Sequence, residues 1–319
     1  MKKKICIIGV YFGTFPQYFP LWLKSCEQNS DIDFLIIGDQ LLTNLPSNVT
    51  CVQMSLDDIR ARATNALGFN AVLEAPYKCC DYRPMFGLIF ADLLERYDYW
   101  GHCDFDMIFG DLSSYFERYS LETYDKFLTW GHLSLYRNAD EVNKRFLQGD
   151  YKRIYTMAEN VAFDEIYGIG QVFIKNAAPM FREKIFADIA STYHRYRLVE
   201  EGKQDKPGNN YANQTFYWEN GKVFRAYFVD GVLHKEEFVY IHFKKRPNFP
   251  LNFDAANCDA FYITNHGFEP KVGEVTMEDI LRTNPNPGAA HERQEYRRAM
   301  AKVRVESVLG CIRRLFNKG

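Results

Sequence analysis

The sequence predicts an α/β fold, a mixed and mainly parallel Rossmann-like sheet flanked by helices, and three observations carry that prediction. Short apolar runs alternate with segments of helical periodicity from the start of the chain. Turns bearing glycine, proline, aspartate and serine punctuate them. With 319 residues, 47% of them hydrophobic and 16% aromatic, the chain has apolar material for one large domain and an appendage.

The first strand is expected over residues 4–10, around Ile5-Cys6-Ile7-Ile8-Gly9-Val10. Met-Lys-Lys-Lys ahead of that run imitates a signal peptide, but the run is short and Gly13, Pro16 and Pro20 soon break it, so a buried strand is expected. A turn over 11–14 follows, where Gly13 permits close backbone approach and, with Tyr11, suits a nucleotide base or ribose. A helix over 20–29, strands over 33–38 and 49–54, and a helix capped by Ser55 come next. Further on, 88–97 has helical spacing, 126–130 reads as a strand, 187–202 as a helix and 205–210 as a polar turn or mobile loop. No G-x-G-x-x-G or Walker loop is present, so dinucleotide and P-loop readings have no support. The formal charge of −2 argues against a general nucleic-acid binder. Eight scattered cysteines without a C-x-x-C pair suggest reduced core thiols in a cytoplasm. No stretch is long and apolar enough to span a bilayer.

The chemistry centres on Tyr97-Asp98-Tyr99-Trp100-Gly101-His102-Cys103-Asp104-Phe105-Asp106, an apolar strand running into two carboxylates at i, i+2. Such a pair at a strand's end can converge on one hard cation, and that cation can hold a diphosphate. A second D-x-D, Asp31-Ile32-Asp33, precedes its apolar run, whereas ligands of open α/β sheets gather outside the carboxyl ends of strands. The second copy is therefore read as loop solvation. Lys78, Asp81 and Arg83 stand at the mouth of the helix feeding the first D-x-D. The plain reading is a solvated helix start capped by Asp81; the sharper one sets a cation near a phosphate and Asp81 near sugar or ribose.

The order Lys78-Cys79-Cys80-Asp81-Tyr82-Arg83-Pro84-Met85-Phe86-Gly87, then an apolar helix, then the D-x-D strand continuing to Gly110-Asp111-Leu112, resembles the GT-A class of glycosyltransferases, in particular enzymes of bacterial polysaccharide (capsule or O-antigen) assembly. The resemblance covers roughly residues 1–250 and is specific mainly over 78–112. It implies a GT-A-like fold and a nucleotide-sugar donor, UDP-sugar foremost. It further implies Mn²⁺ or Mg²⁺ held partly by Asp106, and a donor contact from Asp104. On the acceptor side it implies sugar contacts from His132 and Arg137, with a satisfied structural histidine as the plain alternative. An inverting transferase needs a carboxylate to accept the acceptor hydroxyl's proton, and Asp164 or Glu165 is the candidate; exposed acids at a turn are the plain alternative.

A later apolar strand delivers His242 and then Lys244, Lys245 and Arg246. Imidazole can complete a shell begun by carboxylates, and the cations can neutralise a departing diphosphate. Residues 284–288 are a plausible linker, and 291–318 form a cationic amphipathic pattern suited either to an anionic membrane surface or to packing on protein. The expected division is thus a transferase domain over 1–255 and an appendage over 256–319. The expected setting is the bacterial cytoplasm, with peripheral attachment at the inner membrane face, and the acceptor a glycan or lipid-linked oligosaccharide. Two readings compete: a haloacid-dehalogenase-like phosphatase, and a non-catalytic glycan-binding or membrane-associated protein.

Overall fold

The computed structural model describes residues 3–188, 198–199, 210–211, 214–243, 249–264 and 267–283. The chain divides into two compact units, Met1–Lys184 and Ile185–Gly319.

In the first unit, β1 (Ile5–Tyr11), β2 (Asp33–Gly38), β3 (Val49–Gln53), β4 (Tyr99–Cys103), β6 (Lys126–Trp130), β7 (Leu133–Arg137) and β8 (Met180–Phe181) form one sheet, in the order β3-β2-β1-β4-β7-β6-β8; β5 (Met107–Phe109) lies outside it. Only β7 runs against the rest, so the sheet is mixed and mainly parallel, as the sequence predicts. Helices α1 (Phe19–Glu27), α2 (Leu56–Leu67), α3 (Cys79–Tyr82), α4 (Phe86–Ile89), α5 (Ala91–Leu94), α6 (Leu112–Arg118), α7 (Asp140–Asn143), α8 (Tyr151–Thr156) and α9 (Gln171–Lys175) make the connections.

Local chemistry accounts for several boundaries. Ser55 and Asp58 form a reciprocal capping box at α2: the Ser55 hydroxyl accepts from the Asp58 amide (3.1 Å), and the Asp58 carboxylate accepts from the Ser55 amide (2.7 Å). The helix expected over 88–97 is instead two short helices, because Phe90 between them has non-helical angles (φ −115°, ψ 26°). One apolar core joins Ile8, Trp100, Tyr136, Phe86 and Phe173 on one side of the sheet.

The second unit is built on a five-stranded antiparallel sheet. It contains β12 (Gln214–Glu219), β13 (Lys222–Val229), β14 (Val232–Phe238), β16 (Ala260–Ile263) and β17 (Phe268–Pro270), in the order β14-β13-β12-β16-β17. Two short parallel pairs accompany it: β9 (Ala187–Asp188) with β15 (Tyr240–His242), and β10 (Leu198–Val199) with β11 (Asn210–Tyr211). Helix α10 (Met277–Thr283) is tied to the sheet by the Thr215–Thr283 hydroxyl pair at 2.7 Å and packs Ile280 against Tyr217 and Tyr262.

Residue 255, where the sequence places the end of the transferase domain, falls inside the second unit, between β12 and its partner β16. One expectation is corrected here. The helix expected over 187–202 is strand where it is described, at Ala187–Asp188 and Leu198–Val199. The basic segment 291–318, the linker 284–288 and the cations Lys244, Lys245 and Arg246 lie outside the described residues. Among the described residues no helix is long and apolar enough to cross a membrane, and no cysteine is in a disulfide.

Candidate active site

Because β1, β2 and β4 are parallel and in register, the loops after all three leave the same edge of the sheet. From β1 the order grows outward to β2 and β3 on one side and to β4 on the other, so a topological switch point lies between β1 and β4. The loop after β1 contains Tyr11 and Gly13; that after β4 contains Asp104 and Asp106. Gly13 has φ +91°, its backbone amide donates to the Asp39 carboxylate beyond β2 (3.0 Å), and its carbonyl accepts from the Gln40 side-chain amide. Asp39, which no sequence signal singled out, thus fixes the first loop.

Phe105 fixes the second. Its ring is 5% exposed and sits among Tyr11 (centroids 5.3 Å), Phe15 (5.2 Å) and Trp22 (4.7 Å), while the Trp22 indole donates to the Asp104 carbonyl (3.3 Å). Anchoring the middle residue inward leaves Asp104 and Asp106 half-buried on either side, with one carboxylate oxygen of each within 4.8 Å of the other. Two partly open hard oxygens at that separation fit a divalent cation. Burial first, and then the Asp106 charge, raise the Tyr11 and Tyr18 phenols above their ordinary range.

Arg83 links this loop to the acidic pair. One guanidinium nitrogen donates to Asp164 (2.8 Å) and to the Gly131 carbonyl (2.7 Å), and the other donates to Asp104. Asp164 is 4% exposed and Asp104 29% exposed, so the bridge runs from the interior to the site's surface. Burial lifts the Asp164 carboxyl to about 6 against the pull of Arg83, with Glu165 and Asp104 adding to the rise. Gly131 is where these groups pack most closely: a Cβ there would lie 2.8 Å from Asp164 Oδ2 and 3.0 Å from Glu165 Oε1. Lys126, which no motif marks, is fully buried on β6 with its ammonium 4.3 Å from the Tyr136 ring centre. Burial draws its amine down to about 7, opposed by the charges of Asp164 and Glu165.

Lys78 and Asp81 do not face the site: both are fully buried and paired at 2.9 Å. The Lys78 ammonium also holds the carbonyls of Ile154 (2.9 Å) and Glu159 (2.6 Å), and Asp81 accepts from the amides of Val161 (3.0 Å) and Phe163 (2.8 Å). They pin the loop that leads to Asp164. Because β7 is antiparallel to β4, Arg137 lies opposite Tyr99 at the other end of the strand, paired with Asp125 (2.8 Å) and Glu141 (2.8 Å). His132 is buried in the turn between β6 and β7, and its carbonyl accepts from the Asp104 amide (2.9 Å). In the second unit, His242 is buried at the end of β15. Asp33, in the other D-x-D, accepts from Arg96 (2.9 Å) and Tyr97 (2.6 Å) at the amino end of β2.

A family profile matches residues 7–272, most of the chain, and its description is a family of unknown function (DUF6625). The chain belongs to that family. As a member of DUF6625 it carries the D-x-D loop, Arg83 and the Asp164-Glu165 pair inside the matched span. No curated protein matches the sequence. Among solved structures the chain is similar to an active-site mutant of LgtC, with 10% identity and TM-score 0.42 over 75% of this chain and 87% of that one. It is also similar to the galactosyltransferase LgtC in complex with donor and acceptor sugar analogues, with 9% identity and TM-score 0.38 over the same shares.

Proposed function

We propose that this protein is a GT-A-like, metal-dependent glycosyltransferase that moves a sugar from a nucleoside-diphosphate donor to a glycan or lipid-linked glycan. The observation that carries the reading is the Asp104-Phe105-Asp106 loop: two carboxylates held within reach of one cation, at the carboxyl edge of the sheet and beside the switch point. A bound Mn²⁺ or Mg²⁺ supplies charge stabilisation to the leaving diphosphate. Asp104 and Asp106 are its proposed ligands, and His242 the third. Tyr11 and the backbone around Gly13 are assigned to the nucleotide, and Lys244 and Lys245 to the diphosphate.

In this reading Arg83 and Asp164 position rather than react. Arg83 engages Asp104 on one side and Asp164 on the other, so the metal end and the acceptor end share one strut. Glu165 is partly exposed, and no hydrogen bond or ion pair engages its carboxylate among the described residues. It is therefore the better candidate to take the acceptor hydroxyl's proton as the anomeric carbon is attacked. The setting that goes with this chemistry is bacterial surface polysaccharide synthesis, in the cytoplasm or at the inner membrane face.

The test is a thermal-shift screen of UDP-, GDP-, CMP- and dTDP-sugars with and without Mn²⁺. Metal-dependent stabilisation by one donor family, a UDP-sugar first, is expected. Stabilisation by none of them, together with phosphate release from phosphomonoesters, would replace the transferase with the phosphatase reading.

A further inference from the structure

Among the most exposed large apolar side chains of the first unit are Tyr77 (66% exposed) and Tyr167 (89%). Exposed single aromatics are ordinary on protein surfaces, but the positions of these two are not scattered. Tyr167 stands two residues past Glu165. Tyr77 adjoins Lys78, whose ammonium holds the Glu159 carbonyl, and the Tyr77 carbonyl itself accepts from the Asn160 side chain (3.3 Å). Tyr77 is therefore tied to the start, and Tyr167 stands at the end, of one segment, 159–167, which carries Asp164 and Glu165. Val161, also exposed, lies between them in that loop. Tyr77 is near enough to the reacting end for the charges of Asp104, Asp164 and Arg83 to act on its phenol, after burial and Cys80. Among the described residues neither ring has an aromatic or cationic partner.

We propose that Tyr77 and Tyr167 form the platform on which a glycan acceptor is held. A pyranose presents an apolar C–H face and an equatorial rim of hydroxyls. Aromatic faces take the first, and carboxylates and phenols take the second. Tyr167 and the partly exposed Glu165 on the loop, with Tyr77 tied to its start, supply that combination. The Lys78–Asp81 pair gives the platform its rigidity, because it pins both Tyr77 and residues 159–163. The role of the platform in transfer rests on the glycosyltransferase reading; its affinity for carbohydrate does not.

The probe is an immobilised array of neutral hexose and hexosamine oligosaccharides, read in parallel with calorimetry of UDP-sugar and Mn²⁺. Wild type is expected to bind a subset of the array. Tyr77→Ala and Tyr167→Ala are each expected to lose about tenfold in glycan affinity, while Tyr77→Phe and Tyr167→Phe keep it to within about threefold. Both positions are exposed, so melting temperatures should stay within about 2 °C of wild type, and donor binding should be unchanged. Absence of glycan binding by wild type, or alanine variants that bind like wild type, would overturn the platform. Tyrosine-dependent glycan binding by a protein that binds no nucleotide sugar would instead overturn the transferase reading and leave the platform standing.

Discussion

Two D-x-D triplets in this chain have the same spacing and each a buried apolar middle residue, yet the fold gives them opposite surroundings. In Asp31-Ile32-Asp33 the isoleucine is fully buried, Asp31 accepts from Ser113 (2.7 Å), and Asp33 is met by Arg96 and Tyr97 at the amino end of β2. In Asp104-Phe105-Asp106 the phenylalanine is buried in an aromatic cluster at the carboxyl end of β4, and the outward carboxylates converge to within 4.8 Å. Spacing alone decides nothing here. The difference lies in which end of a strand the carboxylates occupy, and hence whether they meet neighbouring side chains or the switch point.

The comparison is sharpened most by removing the anchors. Phe105→Ala should cost about 3–5 kcal/mol of unfolding free energy and Ile32→Ala about 2–5 kcal/mol, both read by urea denaturation. Only the first should also weaken metal-dependent donor binding. Equal loss of donor binding in both would mean that general destabilisation, and not the anchored loop, controls the site. Gly131→Ala comes next. Its methyl group would drive into both Asp164 and Glu165, so a stability loss of about 1–3 kcal/mol is expected, with transfer falling about 100-fold and donor affinity preserved. Full transfer by the Gly131→Ala variant would remove the acidic pair from the proposed reaction.

The smallest effect concerns pH. Asp164 has its folded-state value raised to about 6, so between about pH 4 and 6 the folded protein binds more protons than the unfolded chain. Its contribution to stability is therefore greatest below that window and declines as pH rises through it, by up to about 3 kcal/mol before solvent relaxation reduces the figure. Asp164→Asn should flatten this part of the stability curve. Denaturation midpoints of both proteins at pH 4, 5, 6 and 7 check the sign, and a wild-type stability that rises relative to Asp164→Asn through this window would contradict the assignment.

Much of the first unit was legible because local signals agreed with its topology. Apolar runs marked the parallel strands, Ser55 marked a helix start, and the position of Asp104 after an apolar strand distinguished the two triplets. Arg83 was legible only as a cation near a helix mouth, and its neighbours Lys78 and Asp81 carried the same signal. Which of them turned inward depended on the loop at 159–163, about 80 residues away, whose backbone groups needed partners. The position of Arg137 was not legible for a related reason: nothing local in its sequence announces that β7 is reversed, and reversal moves the end of the strand to the opposite edge. Lys126 gave no signal at all, because a lysine within an apolar strand is normally solvated and its burial beside Tyr136 is a purely tertiary outcome. The second unit was least legible, since its β12–β16 pairing joins strands separated by the intervening β13–β15 segment.

The central claim is most directly tested by calorimetric titration of Mn²⁺ in the presence of UDP, performed side by side on wild type, Asp106→Ala and Asp33→Ala. The account predicts saturable binding by wild type and by Asp33→Ala, and a loss of about 100-fold or more in Asp106→Ala. Equal binding by all three proteins would contradict it, because the carboxylates at the end of β4 would then have no part in holding the cation and its diphosphate.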